Sequence, residues 1–282
     1  QLDLDQIASA ADITRNELDE FLAGKANLDM PAVEAIAAKI DLALPEINVV
    51  DFKRSGYLPE TMLNFLALLG WNPGGDQEIM TQDQLIDSFD VSRLSKSNSL
   101  FDRKKLLAFN TEHIKMLTAE KLLAHFKDYL KTVNSPLHNA DDNTLQRVLS
   151  VSQGSKTLEQ IEQKARLLCI SSDEIEYDPK AVKKVLKKGG LEILPEIKNG
   201  LQNLDTLTAE SIEQMLRSFA EEKQLGLGKV AQPLRVALCG STISIPIFDA
   251  VDMLGLKETI KRIEKTIGTF KKKKKKEKQM SL

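Results

Sequence analysis

Wherever apolar side chains repeat in this chain they return every three or four residues, and nowhere do they alternate with polar ones over the length of a strand. That periodicity sets aside sheets and barrels and leaves helices packed on helices. Ile7, Ala8 and Ala11, then Leu18, Phe21 and Leu22, then Val33, Ile36, Ala37 and Ile40 form three short apolar faces near the N-terminus. Met62, Leu63, Phe65, Leu66 and Leu69 form a denser face after Pro59. Later stretches such as "TLEQIEQKARLLC", "LEILPEIKNGLQNL" and "TAESIEQMLRSFAEEKQL" read as amphipathic helices. The expected fold class is mostly α. Punctuation agrees: Asp29 before Pro31 and the early Pro59 mark helix starts, Gly24 marks an end, and Thr81 three residues before Gln84 is a capping box.

Hydrophobic content of 42% with 28% charged residues is that of a folded chain, and 282 residues give room for about two domains. No apolar run approaches the ~20 residues that span a bilayer, so no membrane partner is expected. The chain opens on Gln1 with no signal-peptide pattern and is read as a trimmed chain. Cys169 and Cys239, its only cysteines, make no disulfide framework, which fits a reducing cytoplasm. The net charge of −2 conceals a polarity. Residues 1–51 carry 11 acidic against 3 basic side chains, and residues 257–282 carry 3 against 11. A polyanion is drawn to the second end and repelled by the first.

Catalytic patterns are missing. His113, His125 and His138 have no metal-ligand spacing around them, and neither cysteine stands in a nucleophile pattern. "GLGK" at Gly226–Lys229 lacks the upstream glycine and the following Ser/Thr of a phosphate loop. The carboxylate pairs Glu192/Glu196, Glu210/Glu213 and Glu221/Glu222 read as solvated helix faces. One segment departs from the rest. From Gln232 to Phe248 the chain is apolar, contains two prolines, and carries a single charge, Arg235. Read from the residues alone, such a segment is more simply core packing than a binding surface.

Two resemblances add to this reading. "LDQIASAADITRNELDEFLAGKANLDMPAVEAIAAKI" resembles the helix-turn-helix domain of phage-repressor (XRE/Cro-like) regulators, with "TRNELDEFLAG" as the recognition helix. "SGYLPETMLNFLALLGW" followed by "SKSNSLFDRKKLLAFNTEHIK" resembles bacterial-type glutamate–tRNA ligase just after its catalytic domain, and "LGKVAQPLRVALCGSTISIPIFDAVDMLG" resembles its anticodon-binding end. The second resemblance runs from about Asp51 to about Ile267. It implies a helix-turn-helix bundle at 1–47, a stem-contact helical domain at 48–150, an anticodon-binding helical cage at 151–270, and a disordered Lys-rich tail at 271–282 that attracts phosphate. The positions it places on the anticodon are Arg217, Gln232, Pro233, Leu234, Arg235, Ser244, Ile245 and Ile247. Small apolar residues there would let unstacked bases approach, and Arg235 would donate to a base edge or phosphate.

Two departures matter. No HIGH-like motif occurs, and where the lysine signature is due the chain reads "KIDLA"; "LSKSNS" at Leu94–Ser99 belongs to the downstream domain. The catalytic domain is thus read as replaced by the repressor-like piece, with a junction near Ile47–Val50. No site for ATP or glutamate is expected in this chain, ATP and Mg²⁺ belonging to the complete family enzyme, and pyrophosphate exchange with glutamate, ATP and tRNA should stay at background. Second, the family's arginine that separates tRNA for glutamate from tRNA for glutamine, in the helix ahead of "TL", matches Gly154, with Lys156 nearby. Both tRNAs are therefore expected partners. The alternative reading is a DNA-binding or protein-contacting regulator fused to a tRNA sensor. The acidity of the first fifty residues, with Glu17, Asp19 and Glu20 on the recognition helix against Arg15 alone, disfavours DNA.

Overall fold

The computed structural model describes residues 3–42, 44–95 and 99–279, the stretch 272–279 as backbone alone. Helices dominate, and among the described residues the only strand-like pairing is one antiparallel bridge, Trp71 with Leu94. The chain divides into two compact units, residues 1–52 and 53–282. Two stretches weighed above fall partly elsewhere: Ala43 of "KIDLA" and positions 96–98 of "LSKSNS" lie outside the described residues.

The first unit holds α1 (Leu4–Ala10), α2 (Arg15–Leu22) and α3 (Met30–Lys39). Ile7, Ala8 and Leu18 form its small core, with Leu4, Ile13, Ile36 and Ile40 packed around it. Its boundaries are set by caps. Thr14 and Glu17 close a capping box on α2, Asp29 caps α3 ahead of Pro31, and Gly24, at φ +69°, turns the chain out of α2.

The division falls within α4 (Val49–Arg54), and the second unit continues with α5 (Pro59–Gly70), α6 (Gln82–Ser88), α7 (Arg103–Met116) and α8 (Ala119–Thr132). Thr81 and Gln84 close the expected capping box on α6. Two buried asparagines tie these helices together. The Asn110 side-chain carbonyl accepts from the Leu58 backbone N–H and the Thr61 hydroxyl, each at 2.9 Å, while its amide donates to the Lys156 carbonyl at 2.7 Å. Asn64 accepts from the Met80 N–H at 2.9 Å, donates to the Glu78 carbonyl, and lies 3.0 Å from His113 Nε2. Buried polar groups are tolerated when their bonds are made, and these are. Burial pushes the His113 pKa down and keeps the ring neutral. His125 lies against Glu60, and His138 is exposed.

Beyond them come α9 (Asp142–Val151), α10 (Leu158–Ala165), α11 (Pro179–Ala181), a π-helical turn over Val182–Gly190, α12 (Leu191–Gln202), α13 (Ala209–Glu222), α14 (Leu227–Cys239) and α15 (Ile247–Gln279). One core runs from Leu58 to Phe270 through both halves of the unit. Gly255, at φ +75° and ψ 163°, breaks α15 near its start. The helix then runs to Gln279, where the sequence leads one to expect an unstructured tail from Lys271. Arg262 on α15 is 1% exposed yet fully engaged: Nη1 donates to the carbonyls of Leu167 and Leu238, Nη2 to that of Ile170, and Nε to Glu258. A buried guanidinium with this many acceptors fastens α15 onto the end of α14 and the loop after α10. No described helix is long and apolar enough to cross a membrane.

Candidate functional site

The segment from Gln232 to Phe248 forms the second half of α14, a tight reversal, and the start of α15. Pro233 lies inside α14, so the Lys229 carbonyl has no helical donor opposite it. The helix stops at Gly240, whose φ of +75° suits glycine. Space demands glycine as well: a Cβ there would fall 1.9 Å from the Glu176 carbonyl oxygen. The Gly240 carbonyl in turn accepts from the Asp178 N–H at 2.9 Å.

Arg235 points from α14 into the loop that follows. Its Nη1 donates to Ser244 Oγ at 2.8 Å and to the carbonyls of Ser244 and Ile245 at 3.3 Å. From the other side the Ile245 N–H donates to the Lys164 carbonyl of α10 at 3.0 Å. The loop is thus held at both edges. The arginine itself is half-buried and forms no ion pair among the described residues; burial pushes its pKa down. Its Nε is buried without a partner, and so is the Gln232 side-chain oxygen three residues earlier on the same face of α14. Nη2 makes no hydrogen bond among the described residues. A desolvated cation with no carboxylate is costly unless something anionic or polar meets it.

Four apolar residues expected as contacts are buried. Leu234 and Ile245 are fully buried and Ile247 nearly so, and Pro233 is buried beside them. Their side chains pack the core, so an apolar face for bases is not made from them; a helix-loop-helix inside an all-α cluster buries its apolar residues wherever neighbours cover them. The loop's exposed apolar surface comes instead from Ile243, 60% exposed, and Pro246, which periodicity does not single out. Ser244 stays with Arg235, as its hydrogen-bond partner. Arg217, on α13, is exposed and bound to Glu213 one turn earlier at 2.8 and 2.5 Å.

Gly154 and Lys156 stand apart from these, between α9 and α10. Gly154 lies past the end of α9 and not within it, at φ +81°, and nothing comes within 4 Å of a Cβ built on it. It borders a cavity of about 530 Å³ lined by Ile114, Leu117, Leu122 and Leu149, with the buried, unpartnered hydroxyl of Ser152. Lys156 is exposed. Among the described residues no group of three or more His, Cys, Asp and Glu side chains is placed to hold a metal ion.

Comparisons with known proteins converge on one family. The model described as the anticodon binding domain matches residues 118–267, and that described as the catalytic domain of class I tRNA synthetases (E and Q) matches residues 43–108. Both matches overlap residues 48–150, the region expected as a stem-contact domain. The glutamate–tRNA ligase of Desulfosudis oleivorans is 36% identical over 232 residues, covering 80% of this chain and 48% of that protein. That of Thermodesulfovibrio yellowstonii is 33% identical over 226 residues, covering 78% and 47%. The crystal structure of a glutamate tRNA ligase from Elizabethkingia meningosepticum in complex with its amino acid superposes with a TM-score of 0.66 at 28% identity, over 87% of this chain and 49% of that one. The chain spans about half the length of the curated relatives it matches.

Proposed function

From a chain that belongs to the anticodon-binding-domain family, through residues 118–267, we propose the tRNA-holding half of a glutamate–tRNA ligase, gripping the anticodon loop of tRNA for glutamate at the end of α14. The observation that carries this is Arg235. It is a half-buried guanidinium with no counter-charge among the described residues, braced through Nη1 by the 241–246 loop, with Nη2 uncommitted there and the side-chain oxygen of Gln232 unpartnered three residues earlier. Such a group is pre-positioned for a base edge or a phosphate, since the loop has already fixed its geometry. Ile243 and Pro246 supply the exposed apolar surface on which an unstacked base can rest. Arg217 offers a second donor once a phosphate competes with Glu213. The reading is tested by mobility shift with total tRNA against duplex DNA at two salt concentrations; tRNA should be retained at the higher one and DNA released.

Arg15 of α2 is held by Asp5 at 2.9 Å and Asp19 at 3.0 Å, so the one basic side chain of that helix is neutralised within the unit. A DNA phosphate would have to displace both, among further exposed carboxylates.

Discrimination between tRNAs is where Gly154 enters. A glycine presents no donor, and the loss of one guanidinium contact removes ~1–3 kcal/mol of preference. The chain is expected to hold tRNA for glutamine within about tenfold of tRNA for glutamate. Gly154→Arg should restore preference for the glutamate tRNA in competition binding, since its side chain meets no obstruction. It should also lower stability by about 1–2 kcal/mol, because a Cβ is placed in the left-handed region. An unchanged preference in that variant, or a wild-type preference above about thirtyfold, would show that the discrimination is read elsewhere.

A further inference from the structure

The helical stretch ahead of α12 carries Lys180, Lys183, Lys184 and Lys187, with Lys188 at the kink that ends it; all five are exposed, while Ala181, Val182 and Leu186 of the same stretch are buried. Four lysines elsewhere in this unit are matched with carboxylates: Lys53 with Asp128, Lys127 with Asp142, Lys198 with Glu264 and Lys223 with Glu196, all within 3.1 Å. Here Lys180, Lys183, Lys184 and Lys188 make no ion pair among the described residues. Asp178, just ahead, is turned to the Lys180 backbone N–H as a helix cap. Lysines one turn apart repel, and that repulsion makes the segment less stable than a mixed surface would be.

The location gives the charge a use. Gly190 closes this stretch against α14 so tightly that a Cβ on it would lie 2.8 Å from the Pro233 ring. The lysine-bearing helix is therefore seated on the element that carries Gln232 and Arg235. We infer that Lys180, Lys183, Lys184 and Lys188 form a phosphate-binding face for the backbone of the RNA whose loop Arg235 grips. The inference rests on the function proposed above and extends it to a surface outside that loop. Lysines act there as point charges: they give affinity and approach rate without sequence preference, while the fixed guanidinium supplies selectivity.

The test compares the full chain with Lys180→Ala/Lys183→Ala/Lys184→Ala/Lys188→Ala and with the milder Lys183→Ala/Lys184→Ala, measuring the affinity for tRNA for glutamate between about 50 and about 200 mM salt. Each phosphate contact contributes roughly 0.7–0.9 to the slope of log affinity against log salt. The fourfold variant should lose about 3 from that slope and bind roughly ten- to a hundredfold more weakly at the low-salt end. The double variant should lose about 1.5. Preference among tRNAs should not change, and the thermal midpoint should stay level or rise. A wild type that binds no tRNA overturns the proposed function and takes this inference with it. A wild type that binds, with variants of unaltered slope, overturns the lysine face alone. So does an unaltered slope accompanied by lost binding to phosphatidylserine vesicles, which would assign the face to an anionic membrane.

Discussion

Gly240→Ala is expected to destabilise the second unit by about 3 kcal/mol, which is a large part of what a domain has to lose. Two costs add. A left-handed residue with a Cβ costs roughly 1–2 kcal/mol, and forcing an atom into filled space costs a further ~1–3 kcal/mol. The second term is unavoidable here because the atom in the way, 1.9 Å from the new methyl, is the backbone oxygen of Glu176 and not the end of a flexible side chain. Gly154→Ala isolates the first term, having a similar φ of +81° with open space around it. Urea unfolding of both variants should show a midpoint shift for Gly240→Ala at least twice that for Gly154→Ala. Equal shifts would mean that the close approach between α14 and the Glu176 strand of chain does not constrain the fold. The same variant should weaken tRNA binding, since Gly240 starts the loop that Arg235 braces.

Arg235→Ala should weaken binding of tRNA for glutamate ten- to a hundredfold, equivalent to ~1–3 kcal/mol. Two effects must be separated, because Nη1 also holds Ser244 and Ile245 in place. Ser244→Ala removes the 2.8 Å brace and keeps the cation, so it should cost ~0.5–1.5 kcal/mol of stability and clearly less binding than Arg235→Ala. Arg235→Lys keeps the charge as a point and loses the planar fork, and should recover affinity without recovering preference among tRNAs. If Ser244→Ala weakened tRNA as much as Arg235→Ala did, the arginine would be a loop brace and the uncommitted Nη2 would carry no ligand.

Much of this architecture is legible in the residues, and the reasons are local. Thr14 with Glu17 and Thr81 with Gln84 close the boxes their spacing announces, because a capping box needs only four consecutive residues. Asp29 and Pro31 start α3 for the same reason. The oddity of Arg235 is also visible in one dimension, as one charge between Gln232 and Phe248. What it does is not, because Ser244 reaches it only after the chain reverses at Gly240. Burial is likewise a property of neighbours. Leu234, Ile245 and Ile247 have the composition of a base-stacking surface and the position of core, and only the packing of α13, α14 and α15 separates the two. Gly154 illustrates a third gap: alignment with a helical arginine places it in a helix, while the chain has already left α9. The four unpaired lysines are plain in "DPKAVKKVLKKGG", yet their importance depends on Gly190 touching Pro233, a contact between residues far apart in the chain.

The central claim is that the end of α14 reads an anticodon. The direct measurement is equilibrium binding of the full chain to tRNA for glutamate and to the same tRNA with an unrelated anticodon, the body of the molecule unchanged. Every phosphate and every stem contact is then constant, and only the bases presented to Arg235, Gln232 and the 241–246 loop differ. The account predicts that the anticodon exchange weakens binding at least tenfold, about 1.4 kcal/mol, in the wild type, and that Arg235→Ala erases most of that difference. Equal affinity of the wild type for both tRNAs would contradict it, leaving a basic surface that holds RNA without reading it.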